Sequence, residues 1–200
     1  MTTGEPTQRA VFLDRDGTVS EEIGYMYDVA LYKVFPWTGP AIRSINDSKM
    51  NVILATNQSG IHRGYFKESM VHRVHDKLRS ELKRAGAWLD GAYFCPHHPD
   101  ACTDCRKPNS GMLYRARDEM GINLEESYMV GDRYTDIQAG RGAGARTVLV
   151  MTGDGREQRE QNQDAEIQPD YFAENLSDAA EFILNDRKTS KRPRPNTLTK

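Results

Sequence analysis

Ala10-Val11-Phe12-Leu13-Asp14-Arg15-Asp16-Gly17-Thr18 is the stretch whose reading decides the fold. Four apolar residues run into two acids one residue apart and then a Gly-Thr turn. That is the pattern of a short strand buried in a parallel sheet. In such sheets ligands bind at the carboxyl ends of the strands. Strand alternation puts Asp14 and Asp16 on the same side, so two carboxylates crowd one small volume and need a cation or a proton between them. Two solvated acids in a turn is the reading this stretch alone leaves open beside that one.

Working outward, Asn51-Val52-Ile53-Leu54-Ala55 reads as a second buried strand, ending in Thr56-Asn57-Gln58-Ser59-Gly60. Ala92-Tyr93-Phe94 is a third strand, Ser127-Tyr128-Met129-Val130 a fourth that ends in Gly131-Asp132, and Thr147-Val148-Leu149-Val150 a fifth. Between them lie helical patterns. Pro40 suits the first turn of a helix over Ala41–Ile45. From Lys67 to Ala85, Met70, Val71, Val74, Leu78 and Leu82 recur at helical spacing, with Gly86 as the stop. Gly111–Met120, Thr135–Ala143 and Ser177–Leu184 complete the set. Strands alternating with helices make the fold class α/β, a doubly wound, mainly parallel, Rossmann-like sheet. Val19 to Trp37 carries Gly24 and five aromatics without clean periodicity and reads as a flap. Gly153 to Gln168 reads as a loop, and His72 and His75 as surface residues among solvated charges.

The 200 residues suit one domain over 1–186. The stretch 187–200 holds six Lys or Arg together with Pro193 and Pro195, a composition expected to be disordered. A net charge of −2 argues against a nucleic-acid partner. No run has the apolar length of a membrane span, and Met1-Thr2-Thr3-Gly4-Glu5 lacks a signal-peptide core, so a cytoplasmic protein without a membrane partner is expected. No long apolar helix face is left over, which points to a monomer. All three cysteines lie between Cys95 and Cys105, which is no disulfide framework and suggests metal binding. Cys95, His97, Cys102 and Cys105 supply the four ligands that a closed, tetrahedral, structural Zn²⁺ needs. Reduced cysteines beside a surface histidine is the plainer alternative.

The strand ends carry, in order, Asp14 and Asp16, then Thr56, then Lys107, then Asp132 with Asp136. In that set the chain resembles the haloacid dehalogenase superfamily of phosphatases, whose motifs are Asp-x-Asp-x-Thr, a strand-ending Thr or Ser, a Lys, and Gly-Asp-x-x-x-Asp. Finer features resemble its heptose-1,7-bisphosphate 7-phosphatase branch: Phe12 to Thr18, Gly24-Tyr25, Thr56 to Ile61 with Arg63-Gly64, Cys95-Pro96-His97-His98-Pro99, and Cys105-Arg106-Lys107-Pro108. The resemblance runs from about Ala10 to Val150. It implies that Asp14 attacks phosphorus to form an aspartyl-phosphate, while Asp16 serves as acid and then base. It implies Mg²⁺ held by Asp14, the Asp16 backbone carbonyl and Asp132. Thr56 would bind a phosphate oxygen, Lys107 would neutralise the transferring group, and Asp136 would orient Lys107 or a metal water.

The gaps between motifs are too short for a cap domain. A capless, open site follows, with contacts from Glu22, Ile23, Gly24, Tyr25, Asn57, Gln58, Ser59, Arg106 and Arg133, and a small phosphorylated sugar as substrate. Arg106 suits the uncleaved phosphate, since guanidinium binds phosphate as a fork. Arg133 stands where the branch often carries Lys. The branch usually has Cys-x-Cys before Arg-Lys-Pro, whereas residue 103 here is Thr. That leaves Cys102 the weakest zinc ligand, with His98 as the obvious substitute in the loop 95–107. Histidinol-phosphate phosphatase shares the catalytic motifs and the short cysteine loop, but Gly24-Tyr25, Ser59-Gly60-Ile61 and Gly111-Met112 favour the heptose branch. A non-catalytic binding module is the remaining alternative, and the intact set of acids argues against it.

Overall fold

The computed structural model describes residues 7–101 and 103–189. Six strands form one sheet in the order β3-β2-β1-β4-β5-β6, where β1 is Ala10–Leu13, β2 Asn51–Asn57, β3 Gly91–Cys95, β4 Tyr128–Gly131, β5 Arg146–Val150 and β6 Tyr171–Ala173. Every pairing is parallel. Strand alternation sorts the side chains. Val11, Leu13, Val52, Leu54, Val130 and Val148 face one layer, with α1 (Thr38–Asp47), α2 (Glu68–Arg84) and α6 (Leu176–Thr189). Phe12, Ile53, Ala55 and Met129 face the other, against α3 (Gly111–Met120). There α4 (Tyr134–Gly142) packs Tyr134 and Ile137 onto Leu149. Helices on both faces explain why β1 is apolar at four consecutive positions, all buried. Each such side chain contributes about 1.5–3 kcal/mol of burial.

The chain leaves β1 toward β3 and then returns to place β4 on the other side of β1. That reversal opens a crevice at the carboxyl ends of β1 and β4, the usual ligand position in such sheets. Leu13 is in register with Leu54 and Val130, so Asp14, Thr56 and Asp132 leave the sheet at nearly one level.

Several elements differ from the sequence expectation. The stretch expected as loop contains α5 (Gly155–Gln161), whose only buried residue is Gly155; a helix of charges and glutamines has no apolar period to reveal it. β6 is three residues long, too short for a pattern. His75 is buried, with its ring edge toward Phe94, whereas His72 is exposed beside Glu68. His75 continues the stripe Val71, Val74, Leu78, Leu82 at helical spacing. The final helix reaches Thr189, beyond the expected domain end at 186; the rest of the proposed tail lies outside the described residues. The flap over residues 19–37 is anchored at its base. Val19, Met26 and Tyr32 are buried, and Thr38 Oγ1 donates to the Val19 carbonyl at 2.8 Å. No described helix is long and apolar enough to cross a membrane.

Candidate active site

A cleft of about 450 Å³ opens at the carboxyl edge of the sheet. Of the expected residues it gathers Asp14, Asp16, Thr56 and Lys107, the flap residues Glu22, Gly24 and Tyr25, the Asn57–Ser59 turn, and both Arg106 and Arg133. Ile23 does not line it; that side chain packs on the main apolar core. Gly60, Phe66, Thr135 and Gln158 also line the cleft.

At the floor, Lys107 Nζ lies 2.9 Å from Asp14 Oδ1 and 2.5 Å from Asp136 Oδ1. Burial alone would lower the ammonium's pKa, but Asp136 and Asp14 outweigh it and hold Lys107 charged. The lysine is delivered by a reciprocal amide clamp: Asn57 Nδ2 donates to the Lys107 carbonyl at 3.0 Å, and the Lys107 N–H donates to Asn57 Oδ1 at 3.1 Å. Asn57 therefore spends its side chain on holding Lys107. The Arg15 N–H also donates to Asp14 Oδ1, at 2.8 Å, which fixes the rotation of that carboxylate.

Asp132 is fully buried. Its Oδ2 accepts the Asp154 N–H at 2.9 Å, and its Oδ1 is buried without a partner. Carboxylate oxygens of Asp14, Asp132 and Asp136 lie within 4.8 Å of one another. Burial, then the charges of Asp14 and Asp136, push the Asp132 carboxyl well above its ordinary range. Burial, then Asp14, raises the Asp136 carboxyl, with Lys107 and the Arg133 N–H pulling it back. Three buried acids around one orphaned carboxylate oxygen form an all-oxygen donor set that fits a hard divalent cation. Two glycines make the crowding sterically possible. A Cβ on Gly17, which has φ +78°, would overlap the Asp132 carboxylate, and one on Gly131 would overlap Asp136.

Asp16 is gripped by three donors. Arg15 Nε reaches Oδ1 at 3.0 Å, and Oδ2 accepts Arg15 Nη2 at 2.7 Å and Gln58 Nε2 at 3.0 Å. Gln58 Nε2 also reaches Thr56 Oγ1 at 2.9 Å, tying the first two motifs together. Arg15 is itself buried and charged, its pKa raised by Asp16 against the cost of burial. Sequence reasoning left Arg15 without a role, although a cation flanked by two acids was a visible signal.

At the mouth, Tyr25 on the flap meets Tyr65 edge-on with ring centroids 4.4 Å apart. The Gly24 N–H donates to Glu22 Oε1 at 2.6 Å, and burial, then Asp16, raises the Glu22 carboxyl. Arg133 Nη2 lies 2.6 Å from Asp154 Oδ2 and 3.6 Å from Glu22 Oε2.

Beyond β3, His97 Nδ1 stands 3.4 Å from Cys95 Sγ and 3.2 Å from Cys105 Sγ. Two thiols and an imidazole converging at one point are a soft donor set that fits Zn²⁺. Cys102 lies outside the described residues. His98 faces elsewhere, its Nδ1 3.2 Å from Asp100 Oδ2, so it does not join this cluster. Arg106 Nη1 donates to the His97 carbonyl at 3.2 Å, which couples the cysteine loop to a guanidinium of the cleft.

Residues 104–179 match the HAD-hydrolase-like family model. Over 185 residues the chain is 41% identical to the D-glycero-D-manno-heptose-1,7-bisphosphate 7-phosphatase of Thermosynechococcus vestitus, covering 87% of this chain and 94% of that one. It is 35% identical over 190 residues to the D-glycero-beta-D-manno-heptose-1,7-bisphosphate 7-phosphatase of Escherichia coli K12, covering 91% and 97%. Among solved structures, the D,D-heptose 1,7-bisphosphate phosphatase of B. bronchiseptica, complexed with magnesium and phosphate, superposes with a TM-score of 0.83 at 33% identity, covering 90% of this chain and 99% of that one. The chain therefore belongs to the haloacid dehalogenase-like hydrolases, in the family of the heptose-1,7-bisphosphate 7-phosphatases.

Proposed function

We propose that this protein is a phosphatase that removes the 7-phosphate of D-glycero-D-manno-heptose 1,7-bisphosphate through an aspartyl-phosphate on Asp14. The observation that carries the reading is Lys107 Nζ, buried at the cleft floor, 2.9 Å from Asp14 and 2.5 Å from Asp136. A fixed positive charge beside the attacking carboxylate is what a transferring phosphoryl group requires.

In the first half-reaction an Asp14 oxygen attacks phosphorus and the bond from phosphorus to the sugar oxygen breaks. Asp16 delivers a proton to the departing oxygen. In the second half, Asp16 takes a proton from the water that attacks the aspartyl-phosphate, releasing phosphate and restoring Asp14. Arg15 and Gln58 orient Asp16 for both transfers through their three hydrogen bonds. Thr56 Oγ1 and the Asn57–Ser59 turn line the cleft where phosphate oxygens would lie. Asp136 acts through Lys107, which it holds in place.

Mg²⁺ would be held by Asp14, Asp132 and the Asp16 backbone carbonyl; when bound, it offsets the repulsion between the carboxylates and the phosphate. Glu22, Gly24 and Tyr25 would contact the sugar, and Arg106 and Arg133 its uncleaved phosphate. Zn²⁺ would be held by Cys95, His97 and Cys105, with Cys102 as the fourth ligand. Its role would be structural, stiffening the loop that delivers Arg106 and Lys107. The absence of a membrane-spanning helix among the described residues fits a cytoplasmic enzyme, and among the described residues no helix carries a run of large exposed apolar side chains, which fits a monomer.

Steady-state phosphate release from both anomers of the heptose bisphosphate and from histidinol phosphate, with Mg²⁺ and with chelator, tests the reading. A preference for the bisphosphate that depends on Mg²⁺ and is abolished by Asp14→Asn is expected. A preference for histidinol phosphate would refute the substrate, and full activity of Asp14→Asn would refute the mechanism.

A further inference from the structure

The turn that follows β5, Thr152-Gly153-Asp154, packs at the carboxyl edge of the sheet against Gly17 and Asp132. It lies directly on the Asp14–Thr18 turn. Thr152 Oγ1 donates to the Gly17 carbonyl at 2.6 Å. A Cβ on Gly153, at φ +53°, would overlap both the Asp132 carboxylate and Gly17 Cα. The two turns stack because both contact positions are glycine.

Asp154 then makes two contacts of different kinds. Its backbone N–H donates to Asp132 Oδ2 at 2.9 Å, leaving the other Asp132 oxygen unpartnered. Its side chain reaches Arg133 Nη2 at 2.6 Å. Asp154 occupies the N-cap of α5, where an aspartate ordinarily accepts a helix amide, yet its side chain makes no capping bond. The helix forgoes its cap and the carboxylate goes to the guanidinium instead. Stability does not account for this choice. Both partners are substantially exposed, and exposed ion pairs contribute little to stability, no more than the cap would.

We propose that Asp154 is a positioning residue for substrate recognition: it holds Arg133 across the mouth of the cleft so that an anionic group remote from the reacting phosphorus meets a guanidinium already in place. The inference rests on the reading that Arg133 binds substrate. An unrestrained arginine would lose rotamer freedom on binding; one already tethered loses less. Glu22, 3.6 Å from the same Nη2, is the looser partner. An incoming phosphate displaces Glu22, while the Asp154 contact stays. The Arg106 guanidinium has its own anchor in the His97 carbonyl, so each cationic arm of the cleft is held by a separate loop.

The test uses the full chain with Mg²⁺ and compares kcat/KM for the heptose bisphosphate with that for p-nitrophenyl phosphate, which has no second anionic group. Asp154→Ala is expected to lower the bisphosphate-to-monoester ratio about tenfold, mainly through the KM for the bisphosphate, and Asp154→Glu to restore part of it. In an Arg133→Met background the same Asp154 substitution should change the ratio less than twofold, because its effect passes through the arginine. Equal losses on both substrates, or an undiminished loss in the Arg133→Met background, would overturn the inference and leave the turn as a prop for Asp132. A wild type without preference for the bisphosphate would overturn the substrate reading instead. The Asp154–Arg133 coupling, measured on the KM of whichever phosphate ester that enzyme prefers, would still decide the role of Asp154.

Discussion

Replacing Asp132 by asparagine should make the metal-free protein more stable while destroying its activity. Asp132 is fully buried, one oxygen has no partner, and carboxylate oxygens of Asp14 and Asp136 lie within 4.8 Å. At an effective dielectric of about 20, two charges that far apart repel by about 3.5 kcal/mol. Lys107 offsets part of this, so a net gain of about 2 kcal/mol is expected when the charge is removed. Asparagine can still accept the Asp154 N–H through its carbonyl, and its amide can donate toward the neighbouring carboxylates. In a domain of this size about 2 kcal/mol corresponds to roughly 6 °C in Tm. The pH dependence has a definite sign. Because the folded-state pKa of Asp132 is raised by burial and by Asp14 and Asp136, the wild type is penalised progressively as pH rises above the unfolded value near 4, by about 1.4 kcal/mol per unit up to the folded pKa. Thermal melts in chelator should therefore show Asp132→Asn above wild type at pH 8, with the gap narrowing toward pH 5. Saturating Mg²⁺ should reverse the order, since a ligand at a hundredfold its Kd adds about 2.7 kcal/mol to the form that binds it. Phosphatase activity should fall by at least about 100-fold. A chelated variant that melts at or below wild type at pH 8 would refute the reasoning, because Asp132 would then not be a carboxylate held against repulsion.

Two further outcomes concern His75 and the cysteine loop. Burial holds His75 neutral, its pKa pushed down to about 3, so the unfolded chain binds a proton that the folded one excludes. Stability should be complete above about pH 6.5 and decline as pH falls toward 3, by about 2 kcal/mol at pH 5; urea titrations of His75→Leu should lack that decline relative to wild type. With zinc held as proposed, Cys105→Ser should abolish zinc binding by metal analysis and raise the KM for the bisphosphate about tenfold, since Arg106 is anchored on His97 in the same loop. Unchanged zinc content would exclude Cys105 as a ligand.

Much of this molecule was legible locally. A four-residue apolar run ending in Asp-x-Asp suits a strand covered on both faces, and each later strand end carried its own polar group. That was enough to assign the parallel α/β sheet and to collect Asp14, Thr56, Lys107 and Asp132 at one edge, because register in a buried sheet is set by side-chain alternation. The spacing of His75 from Val71 and Leu78 also encoded its burial, although its neighbours along the chain are charged. Other features had no local signature. α5 has no apolar period, β6 is too short to show one, and the Asn57 side chain serves Lys107, fifty residues away in sequence. The meeting of Gly17, Gly153 and Asp132, and the diversion of Asp154 from its helix cap to Arg133, depend on two turns being stacked by strands far apart in sequence. Periodicity and turn chemistry specify which elements form and which face each buries. Which turns touch, and therefore which side chains restrain the catalytic ones, is set by strand order and sheet packing, and only the tertiary structure decides it.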